Sequence, residues 1–426
     1  MNWKNQLTRT PYLVLFIVLI TIGVGTASAL ITITFEGLTV FKENAQFDKD
    51  VNIDGVIAGN TINDLKQDIL DIQKSIFFMD IVVANTGDND ISVMLGNSDG
   101  TFARDDVNIS GGPRGISIGN MNSDGFQDVV LLDPVNNLLY VLFGRSDGVI
   151  GLDEVFDVGN DAHSTAIGDL NNDGNQDVVV TNGEDSNISV LLGNGDGFLN
   201  AQPVVDVGMD PRGIAIGDLN NDGDQDVVVA NEFVEDEDFS KIAVLLGEGD
   251  GTFVTTDVIV GAFLFAVAIG DLNNDGDQDV VVTNGGTGNT ISVLLGDGDG
   301  TFTAQPDVTV GSNPTRLAIG DLDNDGNLDV VVSNQGDDTI SVLGGDGDGT
   351  FSGSDDLIVG DSPQGVVIGD INNDGDLDIV VANKSNNTIF VFIGNGNLLF
   401  NSEIFSAVGV EPVDIAIGNI GGKPLT

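Results

Sequence analysis

The chain has no cysteine and a single histidine in 426 residues. Without Cys there is no disulfide framework, no thiolate nucleophile and no zinc or iron–sulfur centre built on sulfur. One His rules out a two-His metal site, and a Ser-His-Asp triad would have to use His163. Basic residues are scarce too. Only 14 Lys and Arg stand against 67 Asp and Glu, a formal net charge of −53. Phosphate backbones would be repelled, so nucleic acid is excluded as a partner. Apolar and small residues are plentiful, with 41% hydrophobic residues and 58 Gly. A core can therefore be built, and the chain is not a disordered acidic polymer.

The N-terminus reads as an export or anchor segment over residues 1–35. Lys4 and Arg9 precede an uncharged run from Thr10 to Phe35, followed within it by the small residues Thr26-Ala27-Ser28-Ala29. A basic start, an apolar stretch and an Ala-x-Ala site predict a signal peptide cut after Ala29. The run also exceeds the ~20 residues that span a bilayer, so an uncleaved anchor is the competing reading. Either way the rest of the chain is expected outside the cell or on its surface.

Residues 36–79 read as a neck. Short alternating stretches predict brief strands, and Thr61-Ile-Asn-Asp64 resembles a capping box opening a helix over about 61–76. Ile62, Leu65, Ile69, Ile72 and Ile76 follow an a/d spacing. Two heptads suit either a linker helix packed on its own domain or an oligomeric stalk that would make a homo-oligomer.

From residue 80 to 419 one pattern recurs. An apolar strand ends in Gly, a nine-residue acidic loop follows, and then a run such as Asp-Val-Val-Val. The last Asp of each loop falls at 128, 177, 226, 279, 329 and 378, a period near 50. Each period holds four strand-like runs rich in Val and Ile and bounded by Gly, Asn and Asp. Four antiparallel strands repeated radially predict an all-β propeller. The ends give the blade number. Asp80-Ile-Val-Val-Ala-Asn85 is a second strand without a first, and Pro412-Val-Asp-Ile-Ala-Ile-Gly418 is a first strand without a second. Paired, they complete a seventh blade, close the ring and remove open edges. A short tail, 420–426, remains.

The acidic loops follow Asp-x-Asn/Asp-x-Asp-Gly-x-x-Asp. Positions 1, 3, 5 and 9 are Asn120, Asn122, Asp124 and Asp128 in the first. They are Asp169, Asn171, Asp173 and Asp177 in the second, and Asp218, Asn220, Asp222 and Asp226 in the third. The fourth has Asp271, Asn273, Asp275 and Asp279, and the fifth Asp321, Asp323, Asp325 and Asp329. The sixth has Asp370, Asn372, Asp374 and Asp378. Four side-chain oxygens per loop, a carbonyl near position 7 and a Gly at the sharp turn suit a hard cation. With no His or Cys among them, the expected ion is calcium, about six in all. Turn chemistry without metal is the competing reading for any one loop. By carboxylate number the fifth loop should bind most strongly and the first most weakly. Six ions would bring twelve positive charges, leaving about −41 of the −53. In the closing blade Asn419-Ile-Gly-Gly-Lys423 puts Lys at position 5. Lys423 is expected to replace the ion and face Asp80.

The unit Ile-Ala-Ile-Gly-Asp-Leu-Asn-Asn-Asp-Gly-x-x-Asp-Val-Val-Val resembles the FG-GAP/VCBS repeat, found in the integrin α-chain propeller and in many secreted microbial proteins. The resemblance covers about residues 80–419 and implies calcium at the positions named. It also implies extracellular recognition or adhesion, with a protein or glycan as the ligand. No integrin is implied, because no inserted domain, receptor legs or cytoplasmic tail accompanies the repeats.

In a propeller the loops between first and second strands share one face with those between third and fourth, so calcium would occupy that face. On the other face, the start of each first strand varies between otherwise near-identical repeats. It reads Arg114, His163, Arg212, Phe265, Thr315, Gln364 and Val413, then Gly115, Ser164, Gly213, Ala266, Arg316, Gly365 and Asp414. Three of the seven basic residues between 80 and 419 fall in this ring. Arg114, His163, Arg212, Phe265, Arg316 and Gln364 are the candidate ligand-binding residues, forming a funnel for an anionic or polar group. Local pairing of each Arg with a nearby Asp is the bland alternative. The Asn231–Lys241 loop is the longest of its kind and carries Phe233 and Phe239. No catalytic constellation stands out, so the chain is expected not to be an enzyme. An exported polysaccharide hydrolase or lyase and a structural surface-layer or appendage subunit are the other readings.

Overall fold

Runs of β-branched residues between Gly-, Asn- and Asp-rich turns should extend rather than coil. The computed structural model bears this out. It describes residues 33–35, 38–40, 79–96, 102–145, 150–151, 154–232, 240–286, 288–400 and 402–420. Among them there is no helix, and none long and apolar enough to cross a membrane. The expected leader up to residue 32, the helix over 61–76, Lys423, Phe233 and Phe239 all lie outside the described residues.

The chain divides into two units, residues 1–70 and 71–426. In the first, β1 (Ile33–Phe35) pairs antiparallel with β2 (Leu38–Val40). The second is the seven-bladed propeller.

The closing blade orders β32 (Pro412–Gly418), β3 (Asp80–Asn85), β4 (Asp90–Gly96) and β5 (Phe102–Asn108). Blade two holds β6 (Arg114–Gly119), β7 (Asp128–Asp133), β8 (Leu138–Leu142) and β9 (Glu154–Asp157). Blade three holds β10 (Ala162–Gly168), β11 (Asp177–Asn182), β12 (Asn187–Gly193) and an outer strand split into β13 (Leu199–Ala201) and β14 (Val205–Asp206). Blade four holds β15 (Pro211–Gly217), β16 (Asp226–Asn231), β17 (Lys241–Gly247) and β18 (Phe253–Ile259). Blade five holds β19 (Leu264–Gly270), β20 (Asp279–Asn284), β21 (Thr290–Gly296) and the split pair β22 (Phe302–Ala304) and β23 (Val308–Thr309). Blade six holds β24 (Pro314–Gly320), β25 (Asp329–Asn334), β26 (Thr339–Gly345) and β27 (Phe351–Ile358). Blade seven holds β28 (Pro363–Gly369), β29 (Asp378–Asn383), β30 (Thr388–Ile393) and β31 (Ser402–Ala407).

The ring closes where the chain ends meet. β32 pairs with β3 in the register Asp80↔Gly418, Ile81↔Ile417 and Val82↔Ala416. The first strands touch in the cycle β6, β10, β15, β19, β24, β28, β32 and back to β6.

Each second strand explains the repeated Val-Val-Val. All six residues of β11 are buried, because both faces of a blade pack on neighbours. Successive side chains point to opposite faces. Val178 and Val180 therefore join the cluster shared with blade two, while Val179 joins the one shared with blade four. Seven such apolar clusters fill the seven blade interfaces. Each fully buried Val is worth about 1.5–3 kcal/mol over an exposed one. Position 2 of each acidic loop is part of this core. Met121, Leu170, Leu219, Leu272, Leu322 and Ile371 are all buried, as is Ile420 in the closing blade.

Candidate functional site

The acidic loops join first to second strands, so all six sit on one face. Position 9 opens the second strand and is buried. In blade three, Asp177 Oδ2 accepts the Leu170 N–H at 2.8 Å and Oδ1 accepts the Gly193 N–H at 2.7 Å. The same two bonds recur in blades two and four to seven, from Asp128 to Asp378. Asp80 makes them as well, from Ile420 and Gly96, although no acidic loop precedes it. Position 9 thus staples the third strand to the loop whether or not the loop is acidic. Burial pushes Asp128, Asp177 and Asp378 up to about 6 against the lowering effect of those N–H bonds, and the loop's other carboxylates push the same way. Asp226, Asp279 and Asp329 shift upward for the same reasons.

Positions 1, 3 and 5 form the rim. Asp169 Oδ1 and Asn171 Oδ1 both accept the Asp173 N–H at 3.1 Å, and Asp169 Oδ2 accepts the Gly174 N–H at 2.9 Å. Position 6 needs glycine for its backbone. Gly174 has φ +85°, and a Cβ there would meet nothing within 4 Å. In blade six, Asp321, Asp323 and Asp325 bring one oxygen each within 4.8 Å of one another. Burial first, then Asp325 and Asp321, pushes the Asp323 carboxyl up. Two position-1 oxygens, Asn120 Oδ1 and Asp218 Oδ1, are buried with no hydrogen-bond partner among the described residues. Crowded carboxylates, orphaned oxygens and an all-oxygen donor set fit a hard divalent cation.

Neighbouring loops are tied together in a way the sequence pattern does not reveal. At the four boundaries from blade three to blade seven, position 4 reaches across to position 7 of the next loop. Asn172 Nδ2 donates to Asp224 Oδ1 at 2.6 Å, and Asn221 Nδ2 to Asp277 Oδ1 at 2.6 Å. Asn274 donates to Asn327 Oδ1 at 2.7 Å and Asn324 to Asp376 Oδ1 at 2.8 Å. These Asn residues have φ of 58–60°, a left-handed conformation Asn tolerates better than most residues.

The starts of the first strands converge on a cavity of about 180 Å³. Arg114, His163, Arg212, Phe265, Arg316 and Gln364 all line it, with Thr315, Val413 and Asp414 from the same ring positions. Gln335 and Lys384, which follow second strands, line it too. A ring alignment of first strands could not find those two.

The cations of the cavity differ in their partners. Arg212 Nη2 lies 3.0 Å from Asp210 Oδ2 and 2.6 Å from Glu232 Oε2, the latter an ion pair without hydrogen-bond alignment. Arg316 Nε is 4.0 Å from Asp414 Oδ1, and Lys384 Nζ is 3.9 Å from Glu411 Oε2. Arg114 has no carboxylate within 4.0 Å among the described residues. Its Nη1 lies 3.3 Å from His163 Nδ1. Burial above all pulls the Arg114 pKa down, with Arg212 and Arg316 adding to it against the attraction of Asp161. Local pairing therefore accounts for Arg212 but not for Arg114.

His163 is 5% exposed and sits beside Gly183, where a Cβ would crowd the ring. Arg212 Nη1 lies 2.8 Å from its Nε2, and Asp161 Oδ2 lies 3.1 Å from the same atom. Burial and then Arg212 lower its pKa to about 3, with Arg114 and Arg316 adding to the effect against Asp161. The imidazole is neutral at pH 7.

Several solved structures share the fold. A functionally unknown protein from Desulfotomaculum acetoxidans DSM 771 is 15% identical with TM-score 0.60, covering 79% of this chain and 98% of its own. A putative 6-phosphogluconolactonase from Bacteroides uniformis ATCC 8492 is 15% identical with TM-score 0.60, covering 80% and 99%. A periplasmic gluconolactonase from Pseudomonas aeruginosa is 15% identical with TM-score 0.58, covering 80% and 99%. At such identity these likenesses show the fold alone. No curated protein matches the sequence. The FG-GAP-like repeat, by contrast, matches six times, at residues 120–180, 169–229, 218–282, 271–332, 321–381 and 370–422. The first five matches each run from one acidic loop through the next and the sixth runs from the last acidic loop to residue 422; together they span well over half the chain, which therefore belongs to the FG-GAP-like repeat family.

Proposed function

We propose that the protein is an exported recognition propeller, stiffened by calcium on one face, that binds an anionic ligand in the axial cavity of the other. The observation that carries this reading is Arg114, a guanidinium facing the cavity with no carboxylate within 4.0 Å among the described residues, in a chain of net charge −53. A half-buried cation with no close counter-charge is costly unless an anion completes it.

Calcium supports the reading as scaffold rather than as reagent. Side chains at positions 1, 3 and 5 of the six loops, with the position-9 Asp beneath, would hold the ions. Bound calcium would relieve the repulsion among those carboxylates and fix each loop against its neighbour. A ring held in this way keeps the first strands, and so the cavity residues, in one arrangement.

The test is capture of immobilised acidic and neutral glycans by the purified chain in calcium. Acidic glycans should be retained over neutral ones, and Arg114→Glu with Arg212→Glu should abolish retention. Unchanged capture by the doubly reversed variant would sink the reading.

A lactone hydrolase is the second reading. Two structural neighbours bear gluconolactonase names, and a neutral imidazole borders the cavity. A pKa near 3 makes His163 a weak base at neutral pH, which favours binding over chemistry. Turnover of a sugar lactone that is lost in His163→Gln would reverse that preference.

A further inference from the structure

We propose that the axial cavity takes one sugar-acid residue, held by its carboxylate. The proposal rests on the anion-recognition reading and narrows it in size, charge and chemistry.

Size comes first. Pockets for drug-sized ligands run to about 300–1,000 Å³. At about 180 Å³ this cavity admits a single small ring and not an oligomer threaded through it. A polymer could enter only by its end.

Charge separates a carboxylate from a phosphate. Four cations line the cavity, and three have carboxylates of their own at 4.0 Å or less. Arg212 has two of them and Arg114 has none within 4.0 Å among the described residues, so the lining holds no surplus of positive charge and a singly charged anion fits it better than a doubly charged one. A carboxylate supplies one charge. A phosphate ester carries about −1.5 to −2 at neutral pH. The excess would face Asp414, which also lines the cavity. A guanidinium fork also matches the two oxygens of a planar carboxylate.

The rest of the lining suits a hydroxylated ring. Gln364 makes no side-chain hydrogen bond to the described residues, so its amide is free to donate to one hydroxyl and accept from another. Phe265 adds an apolar surface for the C–H face of a ring.

The experiment is calorimetric titration of the purified full chain, in calcium, with glucuronate, glucose and glucose 6-phosphate. Glucuronate should bind at least about tenfold more tightly than either of the others, the discrimination one charge-assisted hydrogen bond can supply. Arg114→Gln should weaken glucuronate at least about tenfold, with Arg114→Lys in between because charge remains and the fork is lost. Gln364→Ala, which removes no side-chain hydrogen bond among the described residues, should also weaken glucuronate, and serves if Arg114→Gln does not fold. Preference for glucose 6-phosphate, or glucuronate binding indifferent to all three substitutions, would overturn the proposal. Absence of glucuronate binding while acidic glycans are still captured would overturn this narrowing alone. Loss of both would remove the anion-recognition reading with it.

Discussion

Arg212 Nη1 stands 2.8 Å from His163 Nε2, and the guanidinium helps keep the buried imidazole unprotonated. The folded pKa of about 3 lies below the ordinary 6.5, so unfolding releases a group that binds a proton more readily. The resulting stability is complete above pH 6.5 and is lost as pH falls toward 3. Unfolding of wild type and His163→Gln in chelator should show a difference that shrinks on acidification from pH 7 to 4. A difference independent of pH would mean that folding does not lower the His163 pKa.

The clasp between Asn172 and Asp224 crosses a blade boundary, and two substitutions separate its parts. Asn172→Gly keeps the φ of 58° and loses only the hydrogen bond, costing about 0.5–1 kcal/mol. Asn172→Ala adds about 1 kcal/mol of left-handed strain. Denaturant unfolding should rank wild type above Gly above Ala. Equal stability of the Gly and Ala variants would remove backbone strain from the account.

Two glycines of blade four should respond for different reasons. Gly223 has φ +91° and open space around it, so Gly223→Ala should cost about 1–2 kcal/mol through the backbone alone. Gly247 donates its N–H to Asp226, and a Cβ there would strike the Gln225 carbonyl. Gly247→Ala should cost about 3 kcal/mol or more, since neither group can retreat without breaking the staple. Thermal unfolding of the two variants checks the order, and the reverse order would contradict it.

Much of this was legible from period and register. The Asp-Val-Val-Val runs mark strands buried on both faces, and the orphan strands at Asp80 and Gly418 mark the closure. The ring from Arg114 to Asp414 follows from counting back to one glycine in each repeat. What escaped depends on the angle between blades, which a linear pattern does not carry. The Asn172–Asp224 clasp links residues 52 apart. Lys384 and Gln335 enter the cavity from turns after second strands, and Glu232 reaches Arg212 from another. Position 9 was legible as a ligand of the loop but not as a staple, because its partners are backbone N–H groups with no sequence signature.

The loops should differ in strength. Blade six gathers three carboxylates within 4.8 Å, whereas blade two offers Asn120 and Asn122 with Asp124. Asp325→Asn should therefore remove more calcium-dependent stability than Asp124→Asn, as read by melting temperature in calcium. Equal effects would mean that carboxylate number does not set affinity here.

The most direct measurement is thermal unfolding of the purified chain in calcium and in chelator, with bound ions counted by native mass spectrometry. Ligands that bind only the folded state stabilise it, by about 2.7 kcal/mol per independent site at a hundredfold excess over Kd. About six ions and a large rise in melting temperature are predicted. An unchanged melting temperature with no bound ion would reduce the loops to turns and take the calcium scaffold out of the reading.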